Sequence, residues 1–401
     1  MAGGCAGVCG VLLSYWLISL LLFVAPADIP RIAEISLNAP ALGFSVLITL
    51  LAAFLFGLTP ALTSSRRNLN KTLSEGGARM SGERSGIRTR SALIVAEVAM
   101  TVVLLTGTAL VLRSFVNLTR INLGLDPQGV LTMQLRLTGP KYTKPEPRRE
   151  FYRQLVEKLE AQPGVIAASA VLIRPLEGTV GWEMSYGSEA QSPDEARQNA
   201  PANFEVITPD YFRTFGIALR AGRGFSSEDR LETERVVIIS ESMARGLFGS
   251  AGGAVGKRLK FDPSSSQEPW RSIVGVASDV RYRELQSIRF DLYVPLAQGM
   301  AGINHFAVRT AGDSNALLAT VREAVAEIDP TQAVTSVATM DELVATNLAR
   351  PRFSALLLNW LSGLALLLAA IGIYSVVAYS VAQRTGEIGR ASCRERVYAC
   401  V

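Results

Sequence analysis

One histidine and four cysteines are all that 401 residues supply of the two best metal-ligating side chains, and charged residues make up only 19% of the chain. Cys5 and Cys9 stand at the start and Cys393 and Cys400 near the end, so the long central region has none. No disulfide framework and no cysteine-ligated zinc cluster is implied. His305 has no Cys or His close to it in sequence, whereas a metal needs several such donors, so no metal ligand is expected. The same scarcity removes the general base that Ser/His/Asp hydrolysis needs. The acidic pairs Glu228-Asp229 and Asp341-Glu342 read as a solvated turn and a helix start. Nothing selects a carboxylate pair for acid–base work, and no catalytic residue is expected.

Hydrophobic residues fill the space that charge leaves, at 49% of the chain, and they are gathered in blocks. The net charge is +5, but it is not spread over a nucleic-acid-binding surface. Segment 63–91 holds Arg66, Arg67, Lys71, Arg79, Arg84, Arg88 and Arg90 against Glu75 and Glu83, which equals the excess of the whole chain. A short basic segment between two apolar runs reads as a cytoplasmic loop.

Four apolar runs, 8–24, 41–62, 92–113 and 353–382, are candidate membrane spans. The first, at about 17 residues, is at the lower limit for crossing the hydrocarbon. A signal peptide is its competing reading, but residues 1–7 carry no Lys or Arg, and a second span follows closely. With 63–91 inside, both chain ends fall inside and region 114–352 falls outside. Glu97, in the third run, marks either transport chemistry or an interfacial contact with Arg88 or Arg90, because a carboxylate deep in a bilayer is costly.

The outer region alternates like strand, helix, strand over 130–137, 146–162 and 165–172, with Pro163-Gly164 as the helix stop. The pattern returns over 305–309, 315–328 and 333–337. Strands 236–239 and 273–276, helix 241–248, and surface loops at 263–268 and 282–287 lie between them. The expected fold is membrane α-helical, with four transmembrane helices, plus an α/β–α+β extracytoplasmic domain. In that domain two βαβ-like units, about 117–175 and 303–350, flank an inserted part at about 200–300. Gly249-Ser250-Ala251-Gly252-Gly253-Ala254-Val255-Gly256-Lys257-Arg258 approaches a P-loop. However, Ala251 replaces its first glycine, and Arg258 replaces the hydroxyl residue that would hold magnesium. A glycine-rich turn before a strand at 258–261 is the reading, with no cofactor.

Glu75-Gly76-Gly77, Arg90-Ser91-Ala92-Leu93-Ile94-Val95-Ala96-Glu97-Val98-Ala99 and Leu112-Arg113-Ser114-Phe115 resemble the junction inside duplicated permeases of the MacB/FtsX-like class. Phe151-Tyr152 with Pro163-Gly164-Val165 is similar to the first βαβ unit of the MacB periplasmic core. Ile207-Thr208-Pro209-Asp210-Tyr211-Phe212, Gly222-Arg223-Gly224-Phe225 and Ile273-Val274-Gly275-Val276 are similar to its inserted part. Ala370-Ile371-Gly372-Ile373-Tyr374 and Arg384-Thr385-Gly386-Glu387-Ile388-Gly389 resemble the next span and its cytoplasmic end.

The resemblance implies a bacterial inner-membrane, multi-pass ABC permease that works with a cytoplasmic ABC ATPase, as a dimer or as a pseudo-dimer with its own first repeat. It implies that 1–62 ends a first repeat, that 63–91 is a linker, and that the second repeat is cut short. Segment 383–389 is then the coupling element, with Gln383, Arg384, Thr385, Glu387 and Ile388 as its contact residues. Residues 390–401 depart from the pattern, resemble translated adapter sequence, and are expected to be non-native. A membrane-anchored sensor with an extracellular ligand domain stays open as the alternative. A membrane-anchored enzyme is disfavoured, because no nucleophile–base pair or carboxylate pair stands out.

The broken P-loop generates a test. The purified chain is expected to show no saturable, magnesium-dependent ATP binding; a signal abolished by Lys257→Ala would overturn the reading of 249–258.

Overall fold

Helix α1 runs from Ser81 to Thr119, so the end of the basic 63–91 segment is helical rather than loop. Glu83, Arg84, Arg88 and Arg90 are good helix formers, and they extend the helix back past Ala92. In this computed structural model the described residues are 15–16, 40, 43–44, 46–48, 81–178, 181–283, 285, 287–299 and 302–398. The expected spans 8–24 and 41–62 lie almost wholly outside them. Contacts divide the chain into two units, Asn117–Leu348 on the one hand and Met1–Val116 with Ala349–Val401 on the other.

The Asn117–Leu348 unit begins with β1 (Val130–Gln134), α2 (Pro145–Glu160) and β2 (Val165–Val171). Far along the chain come β11 (His305–Thr310), α7 (Leu317–Ile328) and β12 (Thr335–Thr339). The two βαβ units interleave: β11 pairs with both β1 and β2, and β1 pairs with β12, all antiparallel. The strand order β12-β1-β11-β2 is that of a split βαβ, ferredoxin-like arrangement. Phe151, Tyr152, Leu155 and Leu159 of α2 and Val321, Ala324 and Val325 of α7 pack over Leu131, Met133, Phe306 and Val308. This is the apolar stripe that the 3.6-residue period places on one helix face.

The intervening segment does not build a separate sheet. It contributes β3 (Trp182–Met184), β4 (Tyr186–Ser188), the one-turn α3 (Pro193–Ala196), β5 (Ala202–Ile207), α4 (Tyr211–Phe215) and β6 (Leu219–Gly222). Next come β7 (Val236–Ser240), α5 (Glu241–Phe248), α6 (Ala251–Ala254), β8 (Arg258–Phe261), β9 (Arg271–Ala277) and β10 (Asp291–Pro295). The sheet continues past β2 as β5-β10-β7-β9-β8-β4. The join is narrow: one residue pair, Val171 with Ile207, aided by the Thr208 hydroxyl accepting from the Ala170 amide at 2.9 Å. The glycine-rich turn closes α5 with Gly249 at φ 80° and opens β8. A P-loop requires the reverse order, strand before helix.

Helix α8 spans Met340–Tyr398 and starts thirteen residues before the apolar run. A capping box starts it there: Glu342 Nα donates to the Thr339 hydroxyl at 3.2 Å, and the Thr339 amide donates to the Glu342 carboxylate at 2.9 Å. Met340 is fully buried in the domain, and Leu343, Val344 and Leu348 pack against the same core. Val98–Thr119 in α1 and Met340–Tyr374 in α8 are long and apolar enough to cross a membrane, and 11% of each window is buried. The rest exposes Val103, Leu110, Trp360, Leu364, Leu368 and Ile371, an apolar exterior that suits lipid rather than water.

In the unit that holds the bulk of both helices, the buried residues are small. Thr101 and Thr108 of α1 and Ala355, Ser362 and Ala369 of α8 recur at intervals of seven, as a left-handed helix pair requires. The Thr108 hydroxyl meets the Ser362 hydroxyl and donates to the Leu358 carbonyl at 3.2 Å. Ser362→Ala is expected to remove roughly 0.6–2 kcal/mol of helix association, and Ser362→Leu more, because it also holds the backbones apart. Thermal unfolding in detergent should follow that order; equal midpoints for all three proteins would dismiss the seam.

Candidate functional site

One face of the sheet is covered by α2, α7, α5 and α6. The other meets α4, the first turns of α8 and two loops, and it is there that polar side chains are buried. In β5 every residue is buried. Phe204 and Val206 face one core, while Asn203 and Glu205 share the opposite face with their register partners Asp291 and Tyr293 of β10. Asn203 Nδ2 donates to Asp291 Oδ1 at 2.8 Å, and the Asp291 amide donates to the Ser240 hydroxyl at 3.0 Å. Asp291 Oδ2, Asn203 Oδ1 and the Tyr293 hydroxyl have no hydrogen-bond partner. Burial pushes the Asp291 carboxyl up to about 7, and holds Glu205 well above the ordinary carboxylate range although it accepts from the Ile173 amide.

The loop after β2 joins this cluster to the rest of the domain. Arg174 donates through Nη1 to the Thr132 hydroxyl at 3.0 Å and the Ser336 carbonyl at 2.8 Å, and through Nε to Glu177. Leu176 takes φ 64° and Ser336 φ 47°, a region that costs an L-residue about 1–2 kcal/mol. The Leu176 amide donates to the Tyr282 carbonyl at 2.7 Å, and its carbonyl accepts from Asn347 Nδ2 at 3.1 Å. The Tyr282 hydroxyl donates to the Ile173 carbonyl. Arg283 reaches Glu183 at 3.0 Å and the Trp182 carbonyl at 3.0 Å. Thus β1, β12, both loops and the root of α8 meet at residues 173–177.

His305, expected to be no metal ligand, belongs to this hub. Its Nδ1 lies 3.2 Å from the Leu172 carbonyl, and its Nε2 lies 3.8 Å from Glu177 Oε1. Glu177 is held below the usual carboxylate range by His305 first, then by Arg174, against partial burial. At 3.8 Å the His305 contact is ionic in reach rather than a hydrogen bond, so Arg174 is the firmer partner. Among the described residues no group of three or more His, Cys, Asp or Glu could hold a metal ion. An open cleft of about 430 Å³ is lined by Asp126, Arg220, Glu241, Asp279 and Arg281 among others. Arg220 pairs with Glu241 at 3.3 Å, and Asp126 with Arg309 at 2.8 Å.

Two surface expectations are corrected. Tyr282 and Leu285, read as part of a surface loop, are 3% and 4% exposed, because both side chains pack into the domain core. Asp229, read as a solvated turn, is buried and accepts from both Nη atoms of Arg223 at 2.8 Å. Gln383, Arg384, Thr385, Glu387 and Ile388 lie in α8 and Glu97 in α1; their side chains are outside the described residues. The hub residues were missed, although a charge inside an apolar strand, such as Glu205 or Asp291, was a usable signal.

Asp291 gives a pH test. Its folded pKa lies above its unfolded value, so its contribution to stability is complete below about pH 4 and is lost as pH rises through about 7. Relative to Asp291→Asn, the native chain is expected to lose roughly 4 kcal/mol over that window. Urea midpoints of the two proteins measured from pH 4 to 8 should diverge; parallel profiles would remove Asp291 from the account.

Known proteins resemble this chain. An uncharacterized ABC transporter permease of Bacillus subtilis (strain 168), YknZ, is 24% identical over 60% of this chain and 62% of its own. The macrolide export ATP-binding/permease protein MacB 1/2 of Paracoccus denitrificans (strain Pd 1222) is 27% identical over 47% of this chain and 29% of its own. The chain therefore spans less than two thirds of the length of these relatives. The crystallised periplasmic region of MacB from Actinobacillus actinomycetemcomitans superposes with a TM-score of 0.37 and 17% identity, over 56% of this chain and 94% of that one. The family profile of the MacB-like periplasmic core domain matches residues 91–334, more than half of the sequence, and the chain belongs to that family.

Proposed function

We propose that the chain is permease material of a bacterial inner-membrane ABC transporter of the MacB/FtsX type. In this reading a separate cytoplasmic ATPase supplies the work, and the Asn117–Leu348 domain responds outside the membrane, in export or in mechanical signalling. The observation that carries it, beside the family match, is the rooting of α8. The helix that bears an apolar, membrane-length window begins inside the domain core at Met340 and is gripped by the hub through Asn347. A displacement of the first turns of α8 would then be felt by the hub.

The finer assignments follow from the same reading. Segments 8–24 and 41–62 would be the last spans of a first repeat and 63–91 the inside linker. Runs 92–113 and 353–382 would flank the outer domain, 114–352. Glu97 would sit at the inner interface. The permease would act as a dimer, or with its own first repeat. Pro351 has no N–H for the Asn347 carbonyl four residues earlier, so the ladder of α8 is weakest just past the hub.

The coupling segment would start at Gln383, with Arg384 and Glu387 three residues apart on one helix face and Thr385 and Ile388 beside them. Exposed ion pairs add little stability, so this grouping suits docking better than stapling. In a full-length relative assembled with its ATPase, the equivalents of Arg384→Ala and Glu387→Ala together are expected to uncouple ATP hydrolysis from the outer domain while insertion is retained. Unchanged hydrolysis, transport and co-purification would reject the coupling role.

A further inference from the structure

We propose that His305 and Glu177 form a proton-binding clasp, in which uptake of one proton draws the 173–177 loop tight and tightens its grip on the root of α8. The inference is independent of what the chain transports or which ATPase it meets.

The chemistry follows from the two ring nitrogens. Nδ1 lies 3.2 Å from the Leu172 carbonyl, and a carbonyl can only accept, so that contact requires the proton on Nδ1. In the neutral ring Nε2 is then a bare acceptor. It is buried without a hydrogen-bond partner, and the nearest charged oxygen, Glu177 Oε1 at 3.8 Å, is also an acceptor. Two acceptors face each other; His305 is 4% exposed and the Glu177 side chain 29%. A proton taken from solvent onto Nε2 turns this into an N–H⁺ facing a carboxylate. No other bond is made or broken, and the gap can close to the 2.7–2.9 Å typical of a charge-assisted hydrogen bond.

The surrounding groups leave this place open. From the loop, Arg174 occupies Glu177 Oε2 through Nε and spends Nη1 on Thr132 and Ser336, so Oε1 is left to His305. Across the register, β1 presents Gln134 and β2 presents Val171, neither of which titrates. From β5, Glu205 is tied to the Ile173 amide. From the 281–285 loop, Tyr282 donates to the Ile173 carbonyl and Arg283 is turned to Glu183. On the strand of His305 itself, Arg309 is paired with Asp126. Arg174 opposes the added charge, and Glu177 favours it through Oε1, the oxygen nearest Nε2. The output is Leu176, one residue before Glu177, whose backbone holds Tyr282 on one side and Asn347 of α8 on the other.

Because His305 is the only histidine, the full chain in detergent, labelled with ¹⁵N-histidine, reports one imidazole. Over pH 5–8, where imidazoles change charge, the neutral form is expected to be the Nδ1–H tautomer. Amide hydrogen exchange at 173–177 and 343–347, corrected for its intrinsic pH dependence, should slow in the native chain as the imidazole takes up its proton and stay flat in both His305→Gln and Glu177→Gln. An Nε2–H tautomer, or an exchange step that persists in His305→Gln or in Glu177→Gln, would overturn the clasp. If Glu177→Gln does not fold, the tautomer and the His305→Gln exchange profile decide alone.

Discussion

The guanidinium of Arg174, only 7% exposed, is the contact on which the domain's arrangement turns. Burying a charge is costly unless it is paired and fully hydrogen-bonded, and Arg174 satisfies that requirement only by drawing three segments together. It takes the Thr132 hydroxyl from β1, the Ser336 carbonyl from β12 and the Glu177 carboxylate from its own loop. Ser336 presents its carbonyl inward by adopting φ 47°. The β1–β12 register shifts between Thr132 and Gln134, so the bulge, the buried charge and the loop are one feature. A buried pair broken on one side typically costs 3–5 kcal/mol, because the other charge is left unpaired.

Leu176 supplies the second constraint. A branched residue at φ 64° persists only where its surroundings over-determine it, and both of its backbone polar groups are held, by Tyr282 and by Asn347. Asn347 also donates to the Leu343 carbonyl at 2.8 Å, so its side chain continues the helix ladder while it grips the loop. Pro351 then withholds an N–H from the Asn347 carbonyl. The hub therefore holds α8 at the last turn before its own hydrogen bonding is interrupted.

Local patterns made part of this legible. The period of α2, the Pro163-Gly164 stop and the helix start at Asp341-Glu342 are read from neighbours in sequence. The interleaving of the two βαβ units is not, because β11 reaches its place between β1 and β2 through pairings more than a hundred residues apart. The hub is harder still. Arg174 and Ser336 are 162 positions apart and carry no motif. In β5 the alternation of Asn203 and Glu205 with Phe204 and Val206 imitates a strand with one wet face, yet both faces are covered. Tyr282 and Asp229 escape sequence reading for the same reason: a polar residue in a loop suggests solvent, and only the fold shows these side chains turned inward.

The chain holds itself together by different physics in its two units. In the Asn117–Leu348 unit, specificity comes from buried charges that are expensive to unpair. Between α1 and α8, in the lipid setting proposed for them, apolar surface gains nothing by leaving one hydrocarbon for another, and close packing of small residues with shared hydroxyls must serve instead. Thr108 and Ser362 supply that contact, and Thr101, Ala355 and Ala369 keep the backbones near. Such interhelical bonds are worth about 0.6–2 kcal/mol each, against 3–5 kcal/mol for breaking a buried ion pair. The domain, by contrast, holds the root of α8 both by apolar packing of Met340, Leu343, Val344 and Leu348 and by the Asn347–Leu176 hydrogen bond.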